Sequence, residues 1–422
     1  MKVCLLAHEG SMYSGGQGVY VSNLARELSA LGHEVHVIGG PPYPELPDDV
    51  QLHRVQNYNY HRLLATGRRF FYGRPPLDAF HPLNIGELVT TRLGMYSVMG
   101  AFSIRAYQRI RELGERFDVV HDNQVLGYGT LLIKNLGLPV VATVHHPLDV
   151  DRANRIREAR SPLDQVKAAL FYPFFMQRAV IHRVDRVVAV SRASARSTAK
   201  AFGLARGEVT IVPNGIDSEM LRRVPGVDPE PGRILFVGDP EDRNKGFEHL
   251  LSALRMLCDT PYRLVAVRRA WSRRSPEMAE EHGLGDRVTF LHSLSRDDLV
   301  REYNRAQLLV SPSLYEGFGL PAAEALACGT PAVATTVGAF PEVIDDGETG
   351  RLVPPRDDGA LAAAMRELLA DPARSRSMGE LGARRVRERF DWRRTAQQMA
   401  AVYEQVARRA PKTAHPVLEL AG

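Results

Sequence analysis

Cysteine is rare in this sequence of 422 residues. The three cysteines, Cys4, Cys258 and Cys328, lie far apart and form no CxxC pair. This spacing argues against a disulfide framework or a zinc site and favours a reducing, cytoplasmic compartment. No uncharged run reaches the ~20 residues that a membrane-spanning helix needs, and no motif of a nucleic-acid-binding fold occurs. The sequence therefore predicts a protein that neither spans a membrane nor binds nucleic acid.

The length, composition and charge of the chain indicate the kind of protein and the kind of partner. A chain of this length exceeds what one hydrophobic core usually supports, so two domains are expected. Apolar residues make up 44% and charged residues 24% of the sequence, which is ordinary for a globular protein. The formal net charge is +5. A mildly basic chain suits a partner that carries phosphates.

Short β-branched runs alternate with amphipathic helical stretches along the whole chain. This alternation predicts parallel strands buried between helices, in doubly wound sheets. The predicted strands are Val3–Ala7, Glu34–Ile38, Asp118–His121, Val140–His145, Arg186–Ser191, Val209–Val212, Arg233–Val237, Leu264–Val267, Val288–Leu291, Leu308–Ser311, Ala332–Thr335 and Arg351–Val353.

The strand pattern falls into two domains, which we place at residues 1–205 and 206–388. Residues 389–422 have no strand after them, and we expect their helix to cross back onto the first domain. The Pro- and Gly-rich segment 225–232 is the best linker candidate. Residues 58–111 have poor periodicity and are interpreted as an insertion of loops and helices in the first domain.

The most informative motif follows the predicted strand that ends at Ser311. A glycine-bearing loop leads into a helix that begins near Pro321, a favoured first helical residue. Backbone N–H groups of Gly317, Phe318 and Gly319 would face an anion beside the helix N-terminus. The carboxylates of Glu316 and Glu324 could accept hydrogen bonds from sugar hydroxyls. A purely structural alternative is that the glycines only make a turn and Glu324 only favours the helix dipole.

Residues 316–324, with the sequence EGFGLPAAE, resemble the hallmark of glycosyltransferase family 4. The resemblance implies a GT-B fold, with two Rossmann-like domains that face each other across a cleft. It also implies an enzyme that moves a hexose, with retention of configuration, from a UDP- or GDP-sugar to a hydroxyl of a glycan, lipid or small molecule. In this family the first glutamate holds donor-sugar hydroxyls, and the second contacts the ribose. Those roles would fall to Glu316 and Glu324, with Gly317, Phe318, Gly319 and Leu320 lining the donor site.

Two segments of the first domain agree with the same resemblance. Gly15 and Gly16 precede the first helix, where the family's glycine pair approaches the donor diphosphate, although a flexible loop is the structural alternative. Val21 stands where a GxGxxG fingerprint needs its third glycine, which disfavours a nicotinamide cofactor. His145 matches the family's histidine beside the reacting centre and is a catalytic candidate, with His146 as the neighbour to distinguish.

Diphosphate binding is where the sequence departs from the family pattern. Lys245, before a glycine, matches the lysine that neutralises the diphosphate, and we expect it to stabilise the leaving group. Asp239 stands where the family usually has an arginine. Arg243 and Arg268 are the two candidates to replace that arginine. Asn214 lies in a PNG turn, for which a donor contact and a purely structural role are equally favoured.

No cofactor or metal is expected beyond the nucleotide-sugar substrate. Asp149-Val150-Asp151 has the letters of a metal-binding DxD motif, but lacks its strand context and is attributed to chance. The basic, amphipathic residues 164–183 allow either a core helix, which we favour, or peripheral contact with the inner face of a membrane. Competing functions are a non-catalytic nucleotide-sugar or glycan-binding protein, and another GT-B enzyme such as an epimerase or phosphorylase. The complete Glu316–Glu324 motif argues against an epimerase or phosphorylase, and intact Glu316, Lys245 and His145 argue against the non-catalytic protein.

Overall fold

The computed structural model describes residues 1–10, 16–56, 81–159, 161–205 and 207–409. The chain divides into two compact units. The first comprises Met1–Val190, Ala195–Val212 and the chain from Ala396 onward, and the second comprises Ser191–Ser194 and Pro213–Thr395. The main division follows Val212, later than the boundary at residue 205 expected from the sequence. Segment 225–232 lies inside the second unit and is not the linker.

The first half of the chain builds a seven-stranded sheet with the order β3-β2-β1-β4-β5-β6-β7, in which every neighbouring pair is parallel. Its strands are β1 (Lys2–Ala7), β2 (Glu34–Gly39), β3 (Gln51–Arg54), β4 (Val119–Asn123), β5 (Val140–Val144), β6 (Arg186–Ala189) and β7 (Val209–Ile211). The helices are α1 (Gln17–Ala30), α2 (Pro82–Arg92), α3 (Val98–Leu113), α4 (Tyr128–Asn135), α5 (Asp149–Glu158), α6 (Pro162–Phe171), α7 (Phe174–Ile181) and α8 (Arg192–Phe202).

The second half repeats the arrangement with a six-stranded parallel sheet of order β10-β9-β8-β11-β12-β13. Its strands are β8 (Arg233–Val237), β9 (Arg263–Arg268), β10 (Val288–His292), β11 (Leu308–Ser311), β12 (Ala332–Thr335) and β13 (Gly350–Val353). The helices are α9 (Phe247–Arg255), α10 (Arg274–Glu281), α11 (Arg296–Arg305), α12 (Leu320–Ala327), α13 (Phe340–Val343), α14 (Asp358–Ala370), α15 (Pro372–Arg389) and α16 (Trp392–Arg409).

Burial explains why these segments are strands. All residues of β4, β5, β11 and β12 are buried, as expected for central strands of a sheet covered on both faces. The strand β3 was not predicted. Its sequence QLHR has no buried residue and no run of apolar side chains, so edge pairing with β2 places it in the sheet.

The region expected to be an insertion of loops and helices contains two helices. Residues 57–80 lie outside the described part of the chain, but the rest forms α2 and α3. Phe102, Ala106 and Ile110 of α3 are buried in the first unit's core. The close approach of α3 to Gly127 and Gly129, where an added Cβ would overlap Ser103, fixes this packing.

The amphipathic stretch of residues 164–183 forms α6 and α7 and is only partly a core element. Phe171, Phe174, Val180 and Ile181 are buried. Leu163, Val166 and Leu170, on successive turns of α6, are 63%, 55% and 48% exposed, and Phe175 is 62% exposed. The favoured interpretation as a core helix is therefore wrong for α6. Within the described residues, no helix is both long and apolar enough to cross a bilayer.

Candidate active site

The glutamate that begins the glycine loop is paired with a lysine. Lys245 Nζ lies 2.9 Å from Glu316 Oε2. Because the Glu316 carboxylate is so near, the pKa of Lys245 is raised, so the lysine is a cation at neutral pH. The structure thus brings together two residues that the sequence proposed separately.

Local sequence explains the position of Lys245. It ends a short 3-10 turn, Arg243–Lys245, in which the Asp242 side chain accepts a hydrogen bond from the Asn244 N–H at 2.9 Å. Gly246 follows with a φ of 67°, and a Cβ there would lie 2.0 Å from the Pro312 carbonyl oxygen. Only glycine allows this close approach, which joins the lysine turn to the chain just after β11.

The glycine loop then enters α12. Gly319 caps the helix in the left-handed region, with a φ of 90°, and a Cβ there would lie 2.8 Å from the Phe340 ring. The Ser191 hydroxyl donates a 2.7 Å hydrogen bond to the Gly317 carbonyl. Phe318 is buried edge-on against Phe390, with ring centroids 5.2 Å apart. The Phe318 side chain is therefore a packing residue, and only its backbone N–H remains a candidate donor-site group.

The second glutamate of the motif has a different partner. The Tyr303 hydroxyl, from α11, donates a 2.7 Å hydrogen bond to Glu324 Oε2. Tyr303 is fully buried. Burial raises the pKa of Glu324, although the bond from Tyr303 acts in the opposite direction. Sequence analysis missed Tyr303, since nothing in the motif marks a residue on the preceding helix.

The two replacement candidates for the family arginine are placed very differently. Arg268 is buried at the end of β9, donates hydrogen bonds to Ser275 and to Glu241 (3.2 Å to Oε1), and lies 4.0 Å from Asp239 Oδ1. Arg243 is exposed on the same turn as Lys245. The charge of Arg268 is thus balanced by two carboxylates. One of them belongs to Asp239, which stands where the family usually has an arginine.

The PNG turn is held by the beginning of α16. A Cβ on Gly215 would overlap the backbone of Trp392, and the Thr395 hydroxyl donates a 2.9 Å hydrogen bond to the Pro213 carbonyl. This packing favours a structural role for the turn. Asn214 is 3% exposed, and its Oδ1 has no hydrogen-bond partner within the described part of the chain.

His145, at the end of β5 in the first unit, is held by two neighbouring amides that the sequence analysis missed. Its Nε2 lies 2.7 Å from Asn123 Oδ1, and its backbone N–H donates a 2.6 Å hydrogen bond to Gln124 Oε1. Gln124 also donates from Nε2 to the His146 carbonyl at 3.0 Å. The backbone φ of Gln124 is 61°, in the left-handed region that costs energy for a non-glycine residue. The signal was available, since Asn123 ends a buried strand and Gln124 directly follows it.

A second histidine belongs to the same neighbourhood. His121 Nε2 lies 2.7 Å from the Thr143 hydroxyl, and its Nδ1 lies 2.6 Å from the hydroxyl of Tyr403 on α16. Burial lowers the pKa of both His121 and His145 to about 3, so both rings are neutral at neutral pH. Tyr20 of α1 packs edge-on against His145, with ring centroids 4.8 Å apart.

The other predicted positions are less informative. Gly16 caps α1 in the left-handed region with a φ of 69°, whereas Gly15 lies outside the described residues. Asp149 begins α5, so the DxD letters lie in a helix. In the described ranges, the group of ligand-type side chains close enough for a metal is Glu34, His36 and Glu115. Lys2 Nζ already lies 2.9 and 2.7 Å from its two carboxylates.

Comparison with known proteins identifies the family. Residues 14–220 match the model described as Glycosyltransferase Family 4, and residues 217–385 match that of Glycosyl transferases group 1. The MMP alpha-(1->4)-mannosyltransferase of Mycolicibacterium hassiacum is 37% identical over 97% of this chain and 99% of its own length. The chain belongs to glycosyltransferase family 4.

More distant relatives of this family 4 transferase agree. A glycogen synthase of Mycobacterium tuberculosis is 29% identical over 96% of this chain and 95% of its own length. The structure of sucrose-phosphate synthase from Thermosynechococcus elongatus superposes with a TM-score of 0.73 at 25% identity, covering 96% of this chain and 98% of the other. The two parallel sheets are those of the GT-B fold, as the sequence predicted, and the chain is a glycosyltransferase.

Proposed function

We propose that this glycosyltransferase moves a mannosyl group, with retention of configuration, from a nucleotide diphosphate sugar to a hydroxyl of a glycan. The observation that carries the proposal is the Lys245–Glu316 pair, 2.9 Å apart, which offers a cation to a diphosphate and a carboxylate to sugar hydroxyls. The mannosyltransferase relative at 37% identity favours mannose among the hexoses. The glycogen synthase relative favours a glycan acceptor, and D-inositol 3-phosphate glycosyltransferases of 28% and 29% identity make a phosphorylated small molecule the alternative acceptor.

The proposed mechanism needs no enzyme nucleophile. The acceptor hydroxyl attacks the anomeric carbon on the face from which the diphosphate leaves, and the new glycosidic bond forms as the bond to the diphosphate oxygen breaks. The hydroxyl proton passes to a diphosphate oxygen. Lys245 stabilises the developing negative charge, Glu316 and Glu324 orient the sugar and ribose, and backbone N–H groups near Gly317 and Gly319 add fixed dipoles.

Two measurements test the proposal. UDP- and GDP-linked mannose and glucose are screened by thermal shift, because a bound donor stabilises the native state. We expect a nucleotide-linked mannose to give the largest shift. The anomeric configuration of the product is then determined by NMR with a mannan oligosaccharide as acceptor. A product of inverted configuration would overturn retention. Donor binding with neither transfer nor donor hydrolysis would favour the non-catalytic alternative.

We also infer that α6 contacts an anionic membrane surface. Its exposed Leu163, Val166 and Leu170 share the helix with the exposed Lys167, and Arg155 of α5 lies over the ring of Phe171 at the end of α6. An apolar face beside cationic side chains suits insertion at the level of the lipid headgroups.

Sedimentation with vesicles tests this contact. We expect binding to phosphatidylglycerol vesicles and little binding to phosphatidylcholine, with loss in a Val166→Ser, Leu170→Ser variant. The control is Met256→Ser, which alters an exposed apolar residue of the second unit. Equal binding of the variant and the wild type would remove α6 from the contact.

A further inference from the structure

Tyr303 presents a hydroxyl where packing alone would be satisfied by phenylalanine. The residue is 0% exposed within the second unit, and its hydroxyl donates a 2.7 Å hydrogen bond to Glu324 Oε2. A buried hydroxyl without a partner is costly, so the bond to Glu324 accounts for the tyrosine. The backbone of Tyr303 is held as well, because the Thr330 hydroxyl donates a 2.6 Å hydrogen bond to the Tyr303 carbonyl.

The bond constrains the carboxylate of Glu324 in a specific way. A carboxylate has two oxygens, and Tyr303 fixes Oε2 through a short hydrogen bond. Glu324 lies on α12, whose neighbouring Ala323 and Ala325 are buried, so the backbone that carries it is packed in place. Its other oxygen, Oε1, is left with a set direction and retains its capacity to accept hydrogen bonds.

We propose that Tyr303 is a positioning residue for nucleotide recognition, whose hydroxyl orients Glu324 so that the free carboxylate oxygen accepts a hydrogen bond from a ribose hydroxyl of the donor. This inference rests on the proposed function, in which Glu324 meets the ribose. The specificity it implies is for ribonucleotide over deoxyribonucleotide donors. Tyr303 itself does not touch the substrate.

Binding measured with and without a ribose hydroxyl tests the assignment. The probes are UDP and GDP together with their 2′-deoxy and 3′-deoxy forms, and affinities are measured by calorimetry. For the wild type we expect loss of the contacted hydroxyl to weaken binding about tenfold, as for a hydrogen bond to a charged group. For Tyr303→Phe we expect weaker ribonucleotide binding and a deoxy penalty of less than about threefold.

Two further variants separate the ways in which the idea could fail. Thr330→Val removes the other hydrogen bond of Tyr303 but keeps its hydroxyl, and should retain the tenfold penalty. Glu324→Ala, which removes both carboxylate oxygens, should abolish the penalty. If the penalty survives in Glu324→Ala, the ribose role in the proposed function is wrong. If it vanishes there but persists in Tyr303→Phe, Glu324 meets the ribose without help from Tyr303, and the positioning role is wrong.

A pH profile gives an independent readout that a packing role would not move. The bond from Tyr303 lowers the pKa of Glu324 against the effect of burial. Removing the hydroxyl should raise that pKa, so ribonucleotide affinity in Tyr303→Phe should begin to fall at a higher pH than in the wild type. Superimposable profiles would contradict the proposal.

Discussion

The two units hold their candidate residues by opposite electrostatic means. In the second unit the groups are charged and paired: Lys245 with Glu316, and Arg268 with Glu241. In the first unit the central groups are neutral imidazoles. Asn123 holds the ring of His145, and the hydroxyls of Thr143 and Tyr403 hold that of His121.

This difference determines which groups keep a charge. Under the proposed function the diphosphate needs positive charge that is already in place, and Lys245 keeps its charge because the nearby Glu316 carboxylate raises its pKa. A neutral imidazole instead can donate through one nitrogen and accept through the other, as the two hydroxyl partners of His121 allow. A protonated histidine would lose the acceptor. The contrast therefore predicts that charge-altering substitutions matter most in the second unit.

The largest expected effect comes from neutralising one member of the charged pair. Glu316→Gln keeps the size of the side chain but removes the charge that faces Lys245 and weakens its acceptance of sugar hydroxyls. We expect turnover to fall by at least ~10²-fold with the fold intact, measured as initial rates of sugar transfer. The matched control is Glu348→Gln, an exposed carboxylate of the same unit that pairs with Arg385. Near-normal turnover in Glu316→Gln would remove this residue from the donor site.

A smaller effect should distinguish the two arginines. Arg243 shares a turn with Lys245, whereas Arg268 is engaged with Glu241 and Asp239. We expect Arg243→Ala to weaken donor binding by ~1–3 kcal/mol, as for a charge-assisted hydrogen bond. Arg268→Ala should mainly lower thermal stability.

Calorimetry on the two arginine variants side by side decides between them. Unchanged donor affinity in both would mean that Lys245 and backbone amides suffice. An affinity change only in Arg268→Ala would assign the compensating charge to β9.

The neutral histidines of the first unit predict a pH dependence of stability. The pKa of His121 is about 3 in the folded state and 6.5 in its ordinary state, so below pH 6.5 the unfolded chain binds a proton that the folded chain refuses. Stability is therefore fully present above pH 6.5 and falls as the pH drops toward 3, by at most about 1.4 kcal/mol per pH unit for each such histidine.

Hydrogen exchange of β4 and β5 amides between pH 7 and 5 measures this effect within the first unit. His121→Gln should flatten the dependence. An unchanged slope in that variant would show that His121 is not buried as a neutral ring.

The last prediction is that removing metal ions has no effect on the transfer rate. If Lys245 and fixed backbone dipoles carry the charge stabilisation, excess chelator should leave the transfer rate unchanged. The ion-pair cluster of Lys2, Glu34 and Glu115 should not respond either, because its cation is a lysine. Loss of activity in chelator with recovery in magnesium or manganese would overturn the metal-independent mechanism.

Most strand positions could be predicted from the sequence because buried parallel strands are local apolar runs. Predicted and observed limits coincide for β8, β11 and β12. The edge strand β3 could not be predicted, because its sequence QLHR has no run of apolar side chains. The helices α2 and α3 were expected only as unplaced helices of the insertion at residues 58–111, although Phe102, Ala106 and Ile110 recur every four residues. For α6 the helix was predicted but its burial was not. An amphipathic period predicts a helix but does not say which of its faces is covered.

The sequence by itself determined the family and the candidate residues of its glycine loop, because Glu316, the glycines and Glu324 lie within one loop and the helix that follows it. Only the tertiary structure decided what each charged or polar group meets. Lys245 reaches Glu316 across 71 residues, and Tyr403 reaches His121 across 282. Arg268 meets Glu241, and Tyr303 meets Glu324. Spacing along the chain encodes a turn and a helix face, whereas these partners depend on the order in which strands pair and helices pack.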